Sequence, residues 1–329
     1  TTLHGNINSR GVEVKTKLKF IDLFAGIGGF HLAFDELGLK CVFASEKDKH
    51  ARETYIENFK TKSPKLFEND HFNDDILNLD YKKIPDFDIL CAGFPCQPFS
   101  QAGHKLGFGE NLEARGNMFF VLRDIIKEKR PKAIFLENVR HILKHDDGRT
   151  FSIIEDTIKN QLNYDFYFKV VKGTDYGLPQ HRPRVFMIGF DRELGLPRDF
   201  EFPEKIPLEF TMSDVFNGKC DRDIGFTLRV GGKGSVITDR RNYEFYNVDG
   251  EVRRVGVVEG QKMMGLPDDF EFPGTKSQAM KQLGNSVAVN AVRSVGKELI
   301  KHLSKAGEVP VLEINKDTGN FEMQYKRTG

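Results

Sequence analysis

Two prolines, Pro95 and Pro98, flank Cys96 in GFPCQPFS (93–100), directly after the apolar run DILCAG (88–93). Proline fixes φ and removes a backbone donor, so a strand cannot continue through this segment and the cysteine is displayed on a loop. A thiol held there is a candidate nucleophile, active as its thiolate. Cys41 and Cys91 lie inside apolar runs and read instead as inert core residues. Glu137 closes a second run, AIFLENV, and is a candidate proton donor to a group attacked by that thiolate; a helix cap is its plainer reading. Arg182 and Arg184 in QHRPRVFMIGF precede a third run. Guanidinium groups there suit a carboxylate, a phosphate or a base carbonyl, with a surface ion pair as the alternative.

These side chains need a scaffold that brings strand ends together. LKFIDLF reads as a buried strand because its apolar residues run almost continuously. A glycine turn, DLFAGIGG (22–29), and a helical stretch, HLAFDELG, follow, which is the opening of a βαβ unit. Apolar runs recur at 41–45, 88–93, 133–138 and 185–190, separated by segments long enough for crossover helices. The pattern predicts an α/β fold with a mostly parallel sheet covered on both faces, whose ligands bind at the carboxyl ends of the strands. Gly26, Gly28 and Gly29 let backbone N–H groups approach a ligand, or let helix and strand pack closely. Glu46 follows the next strand about 20 residues on, the separation at which an acid meets ribose hydroxyls, or is a solvated charge beside Lys47 and Asp48. Asp75 is placed to accept from an adenine amino group with Ile76 over the ring; alone, it reads more readily as a helix cap.

Past Phe190 the texture changes. Prolines are frequent, and 219–254 is rich in glycine and arginine without helical periodicity, which predicts a lobe of loops and short strands. Helical periodicity returns from about residue 277 to 303; residues 1–17 and the tail after 306 carry no clear pattern. The 329 residues hold 49 Lys and Arg against 48 Asp and Glu, so a nucleic-acid surface has to be a local patch and not a whole-molecule field. Four cysteines without CxxC spacing give neither a disulfide framework nor a metal site, which fits a reducing, cytoplasmic setting. No apolar run approaches the ~20 residues that span a bilayer, and the N-terminus lacks a secretion-signal pattern.

Taken in order, DLFAGIGG, Glu46, Asp75, GFPCQPFS, ENV, QHRPR and GNSV (284–287) resemble the motif series of the cytosine-C5 DNA methyltransferases of bacterial restriction-modification systems, over roughly residues 19–190 and 222–300. The resemblance implies a Rossmann-like S-adenosylmethionine-dependent methyltransferase sheet with a small, irregular DNA-recognition domain. The expected division is a catalytic and cofactor-binding domain at 1–190, a target-recognition domain at 191–274, and a segment at 275–329 returning to the first. By matching position, Phe24, Gly26, Ile27 and Gly28 would line the pocket for S-adenosylmethionine, and for its product S-adenosylhomocysteine. Glu46 would meet the ribose, Asp75 and Ile76 the adenine, and Pro95, Met118, Asn285 and Ser286 would complete the pocket. Cys96 would be the nucleophile, Glu137 the group at cytosine N3, and Arg184 a clamp on O2 supported by Arg182. Lys47 departs from the large apolar residue that often follows the ribose acid, so cofactor affinity would be weaker or another side chain covers that face.

The implied chemistry needs these groups. Cytosine C5 is too weak a nucleophile to take a methyl group from a sulfonium, so a thiolate adds at C6 and makes C5 enamine-like. A base stacked in a duplex is out of reach, so it must be flipped out. The segment from Gln97 to Gly116, including Ser100, is the expected closing loop and DNA contact. In the recognition lobe, RVGGKGSVITDRRN (229–242) offers Arg229, Lys233, Arg240 and Arg241 as readers of guanine, or as phosphate contacts. The expected partner is double-stranded DNA, with no membrane, a monomeric chain, and a restriction endonuclease paired in function but not in a complex. Three other readings stay open: a tRNA cytosine-C5 methyltransferase using the same motifs; a nicotinamide oxidoreductase, which explains the glycine turn but neither PCQ nor ENV; and a catalytically dead DNA-binding protein descended from the family, against which the intact Cys96, Glu137 and Arg184 argue.

Overall fold

The computed structural model describes residues 18–96, 117–230, 236–239 and 241–306, and the backbone of two further strands at 311–314 and 321–324. Its centre is a seven-stranded sheet of order β3-β2-β1-β4-β5-β7-β6. The strands are β1 (Lys19–Leu23), β2 (Lys40–Ser45), β3 (Phe72–Asn73), β4 (Ile89–Gly93), β5 (Ala133–Val139), β6 (Tyr164–Val171) and β7 (Arg184–Asp191). The first five pair in parallel, and β7 runs antiparallel to both β5 and β6. The continuous apolar runs are explained by burial on both faces. Phe20, Cys41, Cys91 and Phe135 enter one core cluster, while Ile21, Phe43, Leu90 and Ile134 enter the other.

Helices cover each face. α1 (Gly29–Glu36) and α2 (Lys49–Phe59) contribute Phe30, Phe34 and Tyr55 to the first cluster, and the short α3 (Pro64–Glu68) adds Leu66. α4 (Met118–Lys129) and α5 (Arg149–Asp156) contribute Phe119, Ile125 and Ile154 to the second. The sheet differs from the expected one at β6. Its sequence, YDFYFKVV, alternates buried and half-buried positions over 164–167 and then exposes both Phe168 and Lys169 at a solvent edge, instead of running apolar throughout.

The 191–274 region forms an antiparallel hairpin, β8 (Phe245–Val248) with β9 (Glu251–Arg254), together with two helices the composition hid, α6 (Met212–Phe216) and α7 (Val257–Met264). Its apolar residues Met212, Phe216, Tyr246 and Met263 belong to the same buried cluster as Phe20 and Phe34. The single helical stretch expected from 277 to 303 is two helices. α8 (Lys276–Asn285) opens on a capping box between Thr275 and Gln278, and α9 (Val289–Leu303) follows extended Ser286. The tail, patternless in sequence, pairs β10 (Val311–Ile314) with β11 (Phe321–Gln324). Among the described residues no helix is long and apolar enough to cross a membrane.

Candidate active site

Strand order reverses between β1 and β4, and in open α/β sheets the crevice at that point is where ligands bind. A cavity of about 420 Å³ lies there, walled by the carboxyl ends of β1, β4 and β5 and by α8. Cys96, three residues past the end of β4, lines it and is half-buried. Burial pushes its thiol pKa above the usual range. The peptide before it is held by Asn138, whose Nδ2 donates to the Phe94 carbonyl at 2.9 Å.

Glu137 on β5 pairs in register with Gly93 of β4, which brings its carboxylate to the same wall. Arg184 reaches it because β7 is antiparallel: Val139 lies opposite Arg184, so the start of β7 meets the end of β5. The Arg184 Nε stands 3.0 Å from Glu137 Oε1, yet that buried oxygen makes no hydrogen bond. It has a charge partner and a free acceptor position. Burial raises the Glu137 pKa, with Arg184 and then Arg182 acting in the opposite sense. The carboxyl is thereby biased toward its protonated, donating form.

Arg182 also lines the cavity but is 2% exposed, and its terminal nitrogens are committed to backbone. Nη1 donates to Leu228 O at 3.1 Å, and Nη2 to Gly284 O at 2.9 Å and to Ser286 O. Burial first, then Arg184, lowers its pKa to about 9, against the favourable field of Glu137. With Nη1 and Nη2 so committed, Arg182 is a positioning group in this structure and not a free clamp.

The other end of the cavity is lined by Phe24, Gly26, Ile27, Glu46, Pro95 and Asn285. Phe24 has φ +53°, a left-handed conformation that bulky residues rarely adopt. The Glu46 carboxylate accepts from Gly26 N at 2.8 Å through one oxygen and from Asp48 N at 2.7 Å through the other. Each oxygen keeps further acceptor capacity. Lys281 of α8 stands 3.6 Å from Asp48, at the same end.

Five residues expected around a cofactor do not line this cavity: Gly28, Asp75, Ile76, Met118 and Ser286. Gly28 serves packing, since a Cβ there would stand 2.3 Å from the Phe59 ring. Asp75 caps a short 3₁₀ turn by accepting from Leu77 N at 3.1 Å and pairs with Lys47 at 3.3 Å; the backbone bond first, then Lys47, hold its pKa below the usual range. Ile76 is buried in the second core cluster, Met118 heads α4, and Ser286 is buried, giving its carbonyl to Arg182. Asn138, and Gln278, Lys281 and Gln282 on α8, line the cavity without having been singled out; for Asn138 the signal was its place in ENV.

Of the expected DNA-reading residues, Gln97, Ser100, Lys233 and Arg240 lie outside the described residues, as does the expected closing loop. The Arg229 guanidinium sits 5.8 Å from the Tyr243 ring, and Arg241 is held by Asp239 at 2.7 Å. A second, open cleft of about 690 Å³, lined in part by Arg229, Tyr243, Arg254 and Lys276, shares Gln278 and Lys281 with the first cavity. Among the described residues no group of three or more His, Cys, Asp or Glu side chains is placed to hold a metal ion.

A parallel-dominated sheet of this order, closed by an antiparallel β7 and carrying its polar groups at the switch point, is the Rossmann-like fold of the S-adenosylmethionine-dependent methyltransferases. Solved structures share it. A triple mutant of DNMT2 from Spodoptera frugiperda superposes with a TM-score of 0.65 at 20% identity, covering 86% of this chain and 99% of that one. A putative DNA modification methyltransferase encoded within an E. coli prophage gives 0.64 at 22%, covering 88% and 100%. Residues 18–227 and 221–301 match the C-5 cytosine-specific DNA methylase family, and the chain belongs to it. The Type II methyltransferase M.HhaI of Haemophilus parahaemolyticus is 36% identical over 327 residues, 86% of this chain and 96% of that protein. The Type II methyltransferase M1.ScrFI of Lactococcus lactis subsp. cremoris is 38% identical over 325 residues, 88% and 80% respectively. The protein is thus a DNA (cytosine-5-)-methyltransferase by family.

Proposed function

We propose that this protein transfers a methyl group to C5 of a cytosine flipped out of a specific short sequence in double-stranded DNA, through a covalent bond between Cys96 and C6. The observation that carries the reading is the meeting of Cys96, Glu137 and Arg184 in one cavity whose other end is walled by Gly26 and Glu46. Glu137 Oε1, buried and without a hydrogen bond, is the group to meet cytosine N3, and Arg184 beside it is the group to meet O2. In the sequence of steps, the Cys96 thiolate adds to C6 as Glu137 protonates N3, leaving C5 electron-rich. After C5 takes the methyl group, the C5 proton passes to water, the electrons of that bond expel the thiolate from C6, and N3 returns its proton to Glu137, so the base regains aromaticity.

The far end of the cavity fits S-adenosylmethionine. Nothing lies within 4 Å of where a Gly26 Cβ would stand, and Glu46 offers carboxylate acceptors suited to two ribose hydroxyls. Phe24, Ile27, Pro95 and Asn285 would border it. When bound, it supplies the methyl group as an electrophile. Asp75 and Ile76 would take the adenine only if the Lys47 contact rearranges, and Gly28, Met118 and Ser286 would act from behind the wall. Arg229, Arg241 and Lys276 are among the described cations suited to DNA.

The relatives above 30% identity named here are Type II methyltransferases, which favours DNA over tRNA as substrate and a protective role beside a restriction endonuclease in a bacterial cytoplasm. The likeness to DNMT2, at 20% identity, speaks to fold alone. Each strand of a palindrome can be modified separately, so a monomer suffices. The test is incubation with S-adenosylmethionine and unmethylated genomic DNA, with bisulfite mapping beside a Cys96→Ala control. The expected result is 5-methylcytosine in one short context, absent in the variant, and a covalent adduct with 5-fluorocytosine DNA for the unaltered chain only. Label in tRNA but not in DNA overturns the proposal.

A further inference from the structure

One extended segment, residues 179–182, ties three parts of the molecule together. Gly225 bridges in parallel to Gln180: Gly225 N donates to Pro179 O at 2.8 Å and His181 N donates to Gly225 O at 3.0 Å. Gln180 is fully buried. Its Oε1 accepts from Leu228 N at 3.0 Å, while its Nε2 donates to Met263 O on α7 at 2.9 Å. Arg182 then takes the other polar group of the same residue, donating to Leu228 O at 3.1 Å, and its second terminal nitrogen holds the carbonyls of Gly284 and Ser286 on either side of Asn285. Both backbone polar groups of Leu228 are therefore held by side chains of the segment that leads into Arg184.

Leu228 is the last buried residue before the arginine and glycine stretch of the recognition lobe. Arg229 and Val230 are exposed, and their backbone lies so close to Gly284 that a Cβ there would stand 2.7 Å from the Arg229 carbonyl carbon. Burying a guanidinium is costly, and an apolar pair fills such a space with less penalty. What the polar pair supplies, and an apolar pair does not, is a fixed distance between the root of the reading segment and the Glu137–Arg184 pocket.

We propose that Gln180 and Arg182 are positioning residues for sequence discrimination: by holding Leu228 they place Arg229 against the DNA bases while the cytosine is in the pocket. The proposal rests on the DNA reading above. Contacts to base edges demand close geometry, whereas phosphate contacts tolerate displacement. Loosening the root therefore lowers the rate on the correct sequence by more than the rate on wrong sequences.

The test measures kcat/KM of the full-length chain on a duplex carrying the mapped target and on duplexes differing from it by one base pair. Gln180→Met, Arg182→Lys and Met263→Ala are compared with the unaltered protein. Gln180→Met is expected to cut the ratio of correct to altered sequence at least tenfold, and Arg182→Lys, which keeps a donor, by less. Met263→Ala empties a buried site in the same interface while the side-chain bonds from Gln180 and Arg182 to Leu228 stay in place; it is expected to lower Tm and keep the ratio within twofold. An unchanged ratio in Gln180→Met, or in Arg182→Lys should the former not fold, overturns the proposal. An equal loss in Met263→Ala also overturns it, because the effect is then one of stability. If the unaltered chain methylates no duplex, the functional reading itself has failed.

Discussion

The proposed nucleophile, whose thiol is pushed up, and the proposed acid, whose carboxyl is pushed up, make an unusual pair for one catalytic step. The productive form needs Cys96 ionised and Glu137 protonated, which is the minor combination when the carboxyl still titrates below the thiol. The rate should then rise with pH while thiolate accumulates, and level off once pH passes the Glu137 pKa, where gain of thiolate and loss of acid cancel. It should fall only above the Cys96 pKa. In Glu137→Gln the plateau should vanish and the rate climb up to the thiol pKa, at a level reduced by about 10²–10⁴ for loss of the proton donor. Single-turnover methylation across pH 5 to 10 checks this, and a plateau that survives in Glu137→Gln removes the carboxyl from that role.

At the scale of elements, the glycine turn after β1 divides its labour between two residues that sequence alone treats alike. Gly28, at φ +89° with the Phe59 ring in the place of its Cβ, is a packing residue, and Gly26, at φ +56° with open space, faces the cavity. Gly28→Ala should cost about 3 kcal/mol of stability from left-handed strain and overpacking together. Gly26→Ala should cost about 1 kcal/mol and weaken binding of S-adenosylhomocysteine. Denaturant unfolding and calorimetric titration of the two variants separate them.

The same scale shows what the chain made legible. Cys96, Glu137 and Glu46 follow strands that read as apolar runs, so their meeting at one edge follows from a parallel sheet. Arg184 does not follow: residues that precede a parallel strand lie at the opposite edge. It joins Glu137 only because β7 is antiparallel, and the strand that makes this possible, β6, has the broken alternation of an exposed edge. The break between α8 and α9 was equally hidden, because Val287 and Ala288 keep the apolar period while Ser286 turns extended to give its carbonyl to Arg182.

Over the whole molecule, Met212, Phe216, Tyr246 and Met263 of the proposed recognition lobe share one core cluster with β1 and α1, and we propose that the lobe unfolds together with the sheet. Calorimetry should show one unfolding transition. Met263→Ala, which empties a fully buried site in the lobe, should lower that transition as a whole by about 2–5 kcal/mol. Two separate transitions, with only one shifted, would show that the lobe folds alone.

Arg182 finds its partners Gly284 and Ser286 102 and 104 residues further along the chain. During synthesis the sheet strands through β7 leave the ribosome well before those carbonyls exist, and closing so long a loop carries an entropic cost that the nearer contacts to Gly225 and Leu228 repay only in part. The pocket is therefore among the last parts of the protein to be completed. A growing chain that carries β1, β4 and β5 but not yet α8 and α9 holds its cysteine and its glutamate without the turn that closes their cavity, and the capacity to mark DNA arrives with the final helices rather than with the sheet that carries the reactive groups.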